Sequence, residues 1–221
     1  MQVAGRGFGA LRWSGGATEW TILMTHGRRS DWSRVDDFLA REGLRETTAA
    51  LLERPAEQRL SSLCYIQHAG RVLMLRRLKE PFAGYWTAPG GKLLPGEDPQ
   101  EAVVREVREE TDLVLEKPEL RLIASETGPE HYNWLLFFFR AQVDAGSAAP
   151  ELLTGPRPTG EGLLDWLPAD GLLERRLPDA ERRVLPYVIA PPGAPPYYVR
   201  IRYAPDKSIA DLAARPLQRT R

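Results

Sequence analysis

Cysteine is almost absent. Cys64 is the single one in 221 residues, so no disulfide can form within the chain. A lone thiol fits a reducing cytoplasm. Excess charge of either sign is missing too, because 30 Lys and Arg balance 30 Asp and Glu. A dedicated nucleic-acid binder carries a basic surplus or patch, so that class is disfavoured. No run approaches the 18 apolar residues of a membrane helix. The nearest, Trp134 to Phe139, has the length of a strand. The start of the chain lacks the basic-then-apolar layout of a secretion signal. These absences together predict a cytoplasmic location, with no membrane and no nucleic-acid polymer as partner. Three histidines (His26, His68 and His131) lie scattered without metal-ligand spacing and read as structural or exposed.

What is present is enough apolar residue, 43% of the chain, for one core. Length allows a single domain with extensions, and no internal repeat is visible. Residues 1 to 58 read as an N-terminal extension. Its first 30 residues are rich in Gly, Arg and Trp without period, and Met24 is an alternative start. Residues 32 to 53 repeat Val35, Phe38, Leu39, Leu44, Ala49 and Leu52 at helical intervals, with Ser30 or Asp31 as cap. From residue 59 the pattern changes. Leu63–Gln67 and Arg71–Arg77 are apolar runs split by His68-Ala69-Gly70, a hairpin signal. A loop rich in Pro and Gly runs from Leu78 to Pro95. Asp98 caps a helix with Pro99 first and Glu101 third, ending near Thr111. Leu120–Thr127, Tyr132–Val143, Gly162–Leu167 and Tyr197–Tyr203 read as strands. Helical pieces fall at 168–175 and 178–189, and a stiff Pro-rich linker at 191–196. Residues 206 to 221 form a tail, helical or frayed. Strands around a loop and helix predict an α/β architecture with a mixed sheet between helices.

The sharpest signal is residues 90 to 113, GGKLLPGEDPQEAVVREVREETDL. Glu106, Glu109 and Glu110 share one helix face, with neighbouring Cβ atoms about 5–6 Å apart. Glu106 and Glu110 alone are a like-charge pair costing on the order of 0.2–0.5 kcal/mol. A hard divalent cation that takes oxygen ligands and substrate phosphates would neutralise them. An isolated Glu-Val-Arg-Glu-Glu run reads as a solvated helix face. The fixed distances back to Gly91 and Glu97 reverse that reading. The spacing resembles the signature of the MutT/Nudix pyrophosphohydrolases at Gly91, Glu97, Arg105, Glu106, Val107, Glu109, Glu110 and Leu113. Only Asp112 departs, standing where the family has glycine, and chance agreement is roughly 10⁻⁸ per start position. Asp tolerates the left-handed turn that a glycine would make there.

The resemblance covers residues 59 to 205 and implies the Nudix-type α/β/α sandwich. It implies Glu106, Glu109 and Glu110 as catalytic carboxylates holding Mg²⁺, with Mn²⁺ as the alternative, and the Gly90 carbonyl as a further ligand. Gly91, Glu97 and Arg105 become structural, joining loop to helix. An acid outside the box would complete the site: Glu161, with Glu126 and Glu130 as rivals. Lys92 could meet phosphate. The stretch Leu63–Lys92, with Gly-x-Trp ahead of the glycine pair, is similar to 8-oxo-dGTP diphosphatases. That similarity makes Glu181, with Asp179, a reader of the purine edge, and places Thr87 at a base-contacting position. Phe82, Trp86 and Trp134 could stack on a base or pack in the core, with core favoured for Trp134. The expected activity is a Mg²⁺-dependent nucleotide pyrophosphohydrolase acting on a small-molecule nucleotide, an oxidised purine dNTP foremost. ADP-ribose or dinucleoside polyphosphate hydrolysis is the rival, with Pro129 and Tyr132 as its markers. A non-catalytic nucleotide-binding module is the third reading, and a homodimer stays open.

Overall fold

The computed structural model describes residues 32–53, 57–144, 155–191 and 193–220. Met24, residues 1–30 and most of the loop after residue 144 lie outside the described residues. Two short helices open the described residues, α1 (Trp32–Arg41) and α2 (Arg45–Ala49). Strands β1 (Arg59–His68), β2 (Arg71–Arg77), β3 (Trp86–Thr87) and β4 (Gly90–Lys92) lead into α3 (Pro99–Thr111). Then come β5 (Glu119–Thr127), β6 (Asn133–Gln142), β7 (Arg157–Pro158) and β8 (Gly162–Pro168). A 3-10 helix (Ala169–Glu174), α4 (Asp179–Val188), β9 (Tyr197–Tyr203) and β10 (Ile209–Pro216) follow.

The strands form one mixed sheet in the order β10-β9-β5-β6-β1-β2-β8-β7, with β3 on β2 and β4 on β1. β1 runs parallel to β6 and β5 parallel to β9, while the remaining pairs are antiparallel. Side chains alternate across a strand, and β6 shows what that does here. Leu135, Phe137 and Phe139 pack on one face with Val35, Phe38 and Leu39 of α1 and Val103 and Val107 of α3. Phe138 packs on the other with Val184, Leu185 and Val188 of α4. Two apolar layers with helices on both sides make the α/β/α sandwich. No helix among the described residues is long and apolar enough to cross a membrane.

Two expectations need correction. The single helix over 32–53 is broken at Gly43, which sits at φ 67 and ends α1. A side chain there would meet the Thr220 carbonyl oxygen at 2.5 Å, so glycine permits both the turn and the approach. Residues after 206 are neither helical nor frayed: β10 pairs with β9 from Ile209 to Pro216. Helix α1 also belongs to the main core, since the Phe38 ring lies 6.0 Å from Phe137 and 5.9 Å from Phe139.

A buried Arg121 explains how the Pro-rich linker is held. It is fully enclosed and donates to Glu119 and to the carbonyls of Ala194, Ala190 and Pro191. Arg140 donates to Glu119 and Ala190 as well. These carbonyls have no strand partner, and two guanidinium groups satisfy them.

Candidate active site

Helix α3 starts as its sequence demands. The Asp98 carboxylate accepts from the amides of Gln100 and Glu101, and Glu101 accepts from the Asp98 amide, a complete capping box. It ends at Asp112 with φ 63, where the amide bonds to Arg108. The aspartate therefore makes the left-handed turn, and its carboxylate pairs with Arg157 at 2.8 Å. Replacing it by glycine removes a strained φ and an exposed ion pair while loosening the unfolded chain. These contributions are each below about 1 kcal/mol and oppose one another. Asp112→Gly is expected to change stability by less than about 0.5 kcal/mol and to keep activity within twofold. A drop in turnover beyond that would give Asp112 a role in the site.

The glycine pair lies where no side chain fits. Gly90 has φ 144, and a Cβ there would drive into the Ser62 carbonyl of β1. A Cβ on Gly91 would lie 2.5 Å from the Glu106 carboxylate. The loop thus runs directly against α3. Its Gly90 amide donates to Glu110 at 2.9 Å, and Ser61 donates its hydroxyl to the Gly91 carbonyl at 2.6 Å. Arg105 joins the parts. It binds Glu97 through two nitrogens at 2.6 and 2.9 Å, Glu106 at 2.8 Å, Glu109 at 3.3 Å and the Lys92 carbonyl at 3.1 Å. The Arg105 contact lowers the Glu97 carboxyl below its ordinary range.

Glu106 is mostly covered and Glu109 is mostly exposed, beside an open groove of about 900 Å³ along α3. Glu110 is the most buried. Burial pushes its carboxyl up to about 7; the Gly90 amide opposes this, and the charges of Glu106 and Glu161 add to it. Glu161 stands just before β8, half-exposed, with Lys79 3.5 Å away, and its charge reaches Glu110. Among the described residues, no three acidic, His or Cys side chains converge tightly enough to hold a metal as they stand. Arg105 draws Glu106 and Glu109 to itself, and the Gly90 amide holds Glu110. The donor chemistry still suits a hard divalent cation. Glu106 and Glu161 both add negative charge at Glu110, and oxygen is the ligand such a cation takes.

The opposite face of the sheet carries a second acidic site. The Glu181 carboxyl is buried on α4, accepts from the Tyr65 hydroxyl at 3.2 Å and from the Ala88 amide, and is pushed by burial up to about 8. Glu126 is buried too, and accepts from the hydroxyls of Tyr132 at 3.0 Å and Tyr203 at 3.1 Å. That double clamp ties up the Glu126 carboxylate, and it commits Tyr132, a marker of the rival substrate class, to an internal bond. Glu130, the other rival, lies exposed in the turn with Pro129, at φ 56.

The other candidate residues have the following surroundings. Thr87 pairs with Leu75, whose side chain belongs to the α1–α3 layer, while Trp86 and Ala88 join the α4 layer. The strand alternation thus turns Thr87 away from Glu181. Trp134 is half-buried rather than core, with Arg59 5.5 Å and Lys92 5.9 Å from its ring. Lys92 accordingly leans onto that ring. Trp86 stays half-buried near Arg76, and Phe82 is exposed against the edge of Tyr85. Asp179 is exposed at the start of α4, its charge acting on Tyr203. One residue was missed. The positive charge of Arg77, whose guanidinium donates to the Pro81 carbonyl at 3.0 Å, acts on both Glu110 and Glu181 and opposes the effect of burial on each. Its only signal in the sequence was a double arginine closing an apolar strand.

Comparison with known proteins agrees with this geometry. The NUDIX domain profile matches residues 57–188. The uncharacterized Nudix hydrolase YvcI of Bacillus subtilis (strain 168) is 28% identical over 134 residues, covering 59% of this chain and 78% of that protein. The human 8-oxo-dGDP phosphatase NUDT18 is 38% identical over 101 residues, which is 42% of this chain and 30% of that protein. The chain thus spans under a third of the human relative's length. The crystal structure of a MutT protein from Bacillus halodurans superposes with a TM-score of 0.59 at 28% identity, covering 71% of this chain and 97% of that one.

Proposed function

The chain belongs to the Nudix family, and from that premise we propose that it is a Mg²⁺-dependent pyrophosphohydrolase of oxidised purine nucleoside polyphosphates. The observation that carries the reading is the joining of loop and helix. The Gly90 amide bonds to Glu110, Gly91 lies against Glu106, Arg105 bonds to Glu106 and Glu109, and the charge of Glu161 acts on Glu110. When bound, the divalent ion would neutralise phosphate charge and acidify a water. It would be held by Glu106, Glu109, Glu110 and the Gly90 carbonyl.

The chain's own groups then have separate tasks. Arg105 keeps Glu106 and Glu109 on one side of the loop. Glu161 would take the proton of the attacking water, a role supported by its charge acting on Glu110. Water oxygen bonds to phosphorus, the bridging P–O bond breaks, and pyrophosphate leaves with the electron pair. Arg77 offers positive charge felt at both Glu110 and Glu181. Glu181 reads the purine edge. Its high pKa keeps a proton on the carboxyl at neutral pH, so it can donate a hydrogen bond where an ionised acid could only accept.

The human relative's name, 8-oxo-dGDP phosphatase, favours a diphosphate as the second reading, with phosphate as leaving group. A screen decides. The protein is incubated with Mg²⁺ and each of the dNTPs, 8-oxo-dGTP, 8-oxo-dGDP, ADP-ribose and diadenosine polyphosphates, and products are separated. Monophosphate and pyrophosphate from 8-oxo-dGTP, at least tenfold faster than from dGTP, is the expected result. Preference for 8-oxo-dGDP with phosphate release would move the reading to diphosphates. Turnover of ADP-ribose alone would overturn the oxidised-purine assignment.

A further inference from the structure

We propose that Arg34 and Arg41 of α1 are positioning residues for the catalytic helix, acting from outside the matched domain. Both carboxylates of the capping box at the start of α3 are shared with α1. The Asp98 carboxylate gives one oxygen to the helix amides and the other to Arg41, 2.6 Å away. Glu101 accepts from the Asp98 amide and receives Arg34 on both oxygens at 2.7 Å. Arg34 also donates to the Gly96 carbonyl at 2.9 Å, the last turn before the cap. The two arginines are seven residues apart, two helical turns, and so share a face. Both of these carboxylates also form the capping box, so α1 and α3 compete for nothing and reinforce one geometry.

The clamp is itself anchored. Val35, Phe38 and Leu39 are buried against β6. The turn after α1 is tied by the Thr220 amide donating to Gly43 at 2.8 Å and by Arg219 on Glu42 at 3.1 Å. Thus α1 cannot follow α3 if α3 tilts. The lever matters because the glutamates sit at the far end. A 13-residue helix is about 20 Å long. A tilt of about 3° at the cap moves Glu110 by roughly 1 Å, and a misplacement of that size costs up to about 100-fold in rate.

The inference rests on the pyrophosphohydrolase reading, and the test keeps the two apart. Wild type, Arg34→Ala/Arg41→Ala and Arg34→Lys/Arg41→Lys are assayed as full chains for kcat, KM and Mg²⁺ half-saturation, with Tm for each. The alanine pair is expected to lower kcat about tenfold and raise Mg²⁺ half-saturation severalfold. Nucleotide KM should stay within about twofold. Tm should fall by no more than about 5 °C, because both arginines are partly exposed and such pairs add little stability. The lysine pair keeps charge without the fork and should recover part of kcat. A wild type without turnover on any substrate would remove the function reading instead. An active wild type with unchanged kcat and Mg²⁺ dependence in the alanine pair would overturn the proposal. So would a kcat loss that merely tracks the unfolded fraction.

Discussion

Glu109→Gln is expected to lower kcat by about 10³-fold or more while moving Tm by no more than a degree or two. The two halves of that expectation come from different features. Glu109 is mostly exposed, and its one polar contact is the 3.3 Å approach of Arg105, an i,i+4 pair. Such pairs contribute about 0.3–0.5 kcal/mol, so the fold loses little. On the proposed reading, the activity loses an anionic metal ligand. Charge neutralisation by a bound metal is worth several kcal/mol in the transition state, and each 1.36 kcal/mol is tenfold in rate. Glutamine preserves size and the contact to Arg105, which isolates the charge. Circular dichroism with pyrophosphate release measures both quantities. Turnover within tenfold of wild type would remove Glu109 from the metal site.

The second large effect is on stability, and its sign runs against intuition. Glu181→Gln is expected to stabilise the protein at alkaline pH. A carboxyl with an ordinary value of 4.5 that is pushed up to about 8 in the folded state holds its proton while the unfolded chain has already released it. Stability therefore falls as pH rises between about 4.5 and 8 and levels off above. Burial is the main cause, the Glu126 charge adds to it, and the Tyr65 hydroxyl, the Ala88 amide and Arg77 oppose it. Glutamine stays neutral and still accepts from Tyr65. At pH 9 the variant should be more stable by on the order of 2–4 kcal/mol, a Tm rise of about 5–10 °C. At pH 5 the two should agree within about 1 kcal/mol. Glu110 titrates through part of the same window, but it does so in both proteins and cancels in the difference. Parallel Tm curves from pH 5 to pH 9 would show that Glu181 is already ionised in the folded state. If the carboxyl reads the purine edge, the same variant also loses discrimination of 8-oxo-dGTP over dGTP.

The box helix was legible because everything that defines it is local. Asp98, Pro99 and Glu101 announce the start, apolar residues recur on one face, and Asp112 could be recognised as the left-handed stop. The hairpin of β1 and β2 was legible for the same reason. What escaped depends on partners distant in sequence. Ile209–Pro216 lacks a clean alternation, and it is a strand because β9 offers it a ladder. Arg121 looks like an outward polar residue in an apolar run, yet it is enclosed because linker carbonyls 69 to 73 residues later need donors. The facing of Thr87 depends on its pairing with Leu75, and the position of Lys92 on a tryptophan in β6. At the site, the loop and helix residues were visible as a pattern, whereas Arg77 and the Tyr132–Glu126–Tyr203 cluster required the sheet to bring β2, β5, β6 and β9 into register.

The bond between Thr220 and Gly43 spans 177 residues. During synthesis α1 emerges early, but its outer turn cannot be closed until the chain has been made as far as Thr220. Contacts of such separation form late, since loop closure must be met before they give anything back. The box glutamates would leave the ribosome well before their brace is complete. A nascent chain halted before β10 would then hold the whole box sequence on a helix whose outer support is still open. For this molecule, acquiring the active-site residues and acquiring the active-site geometry are separate moments of its own manufacture.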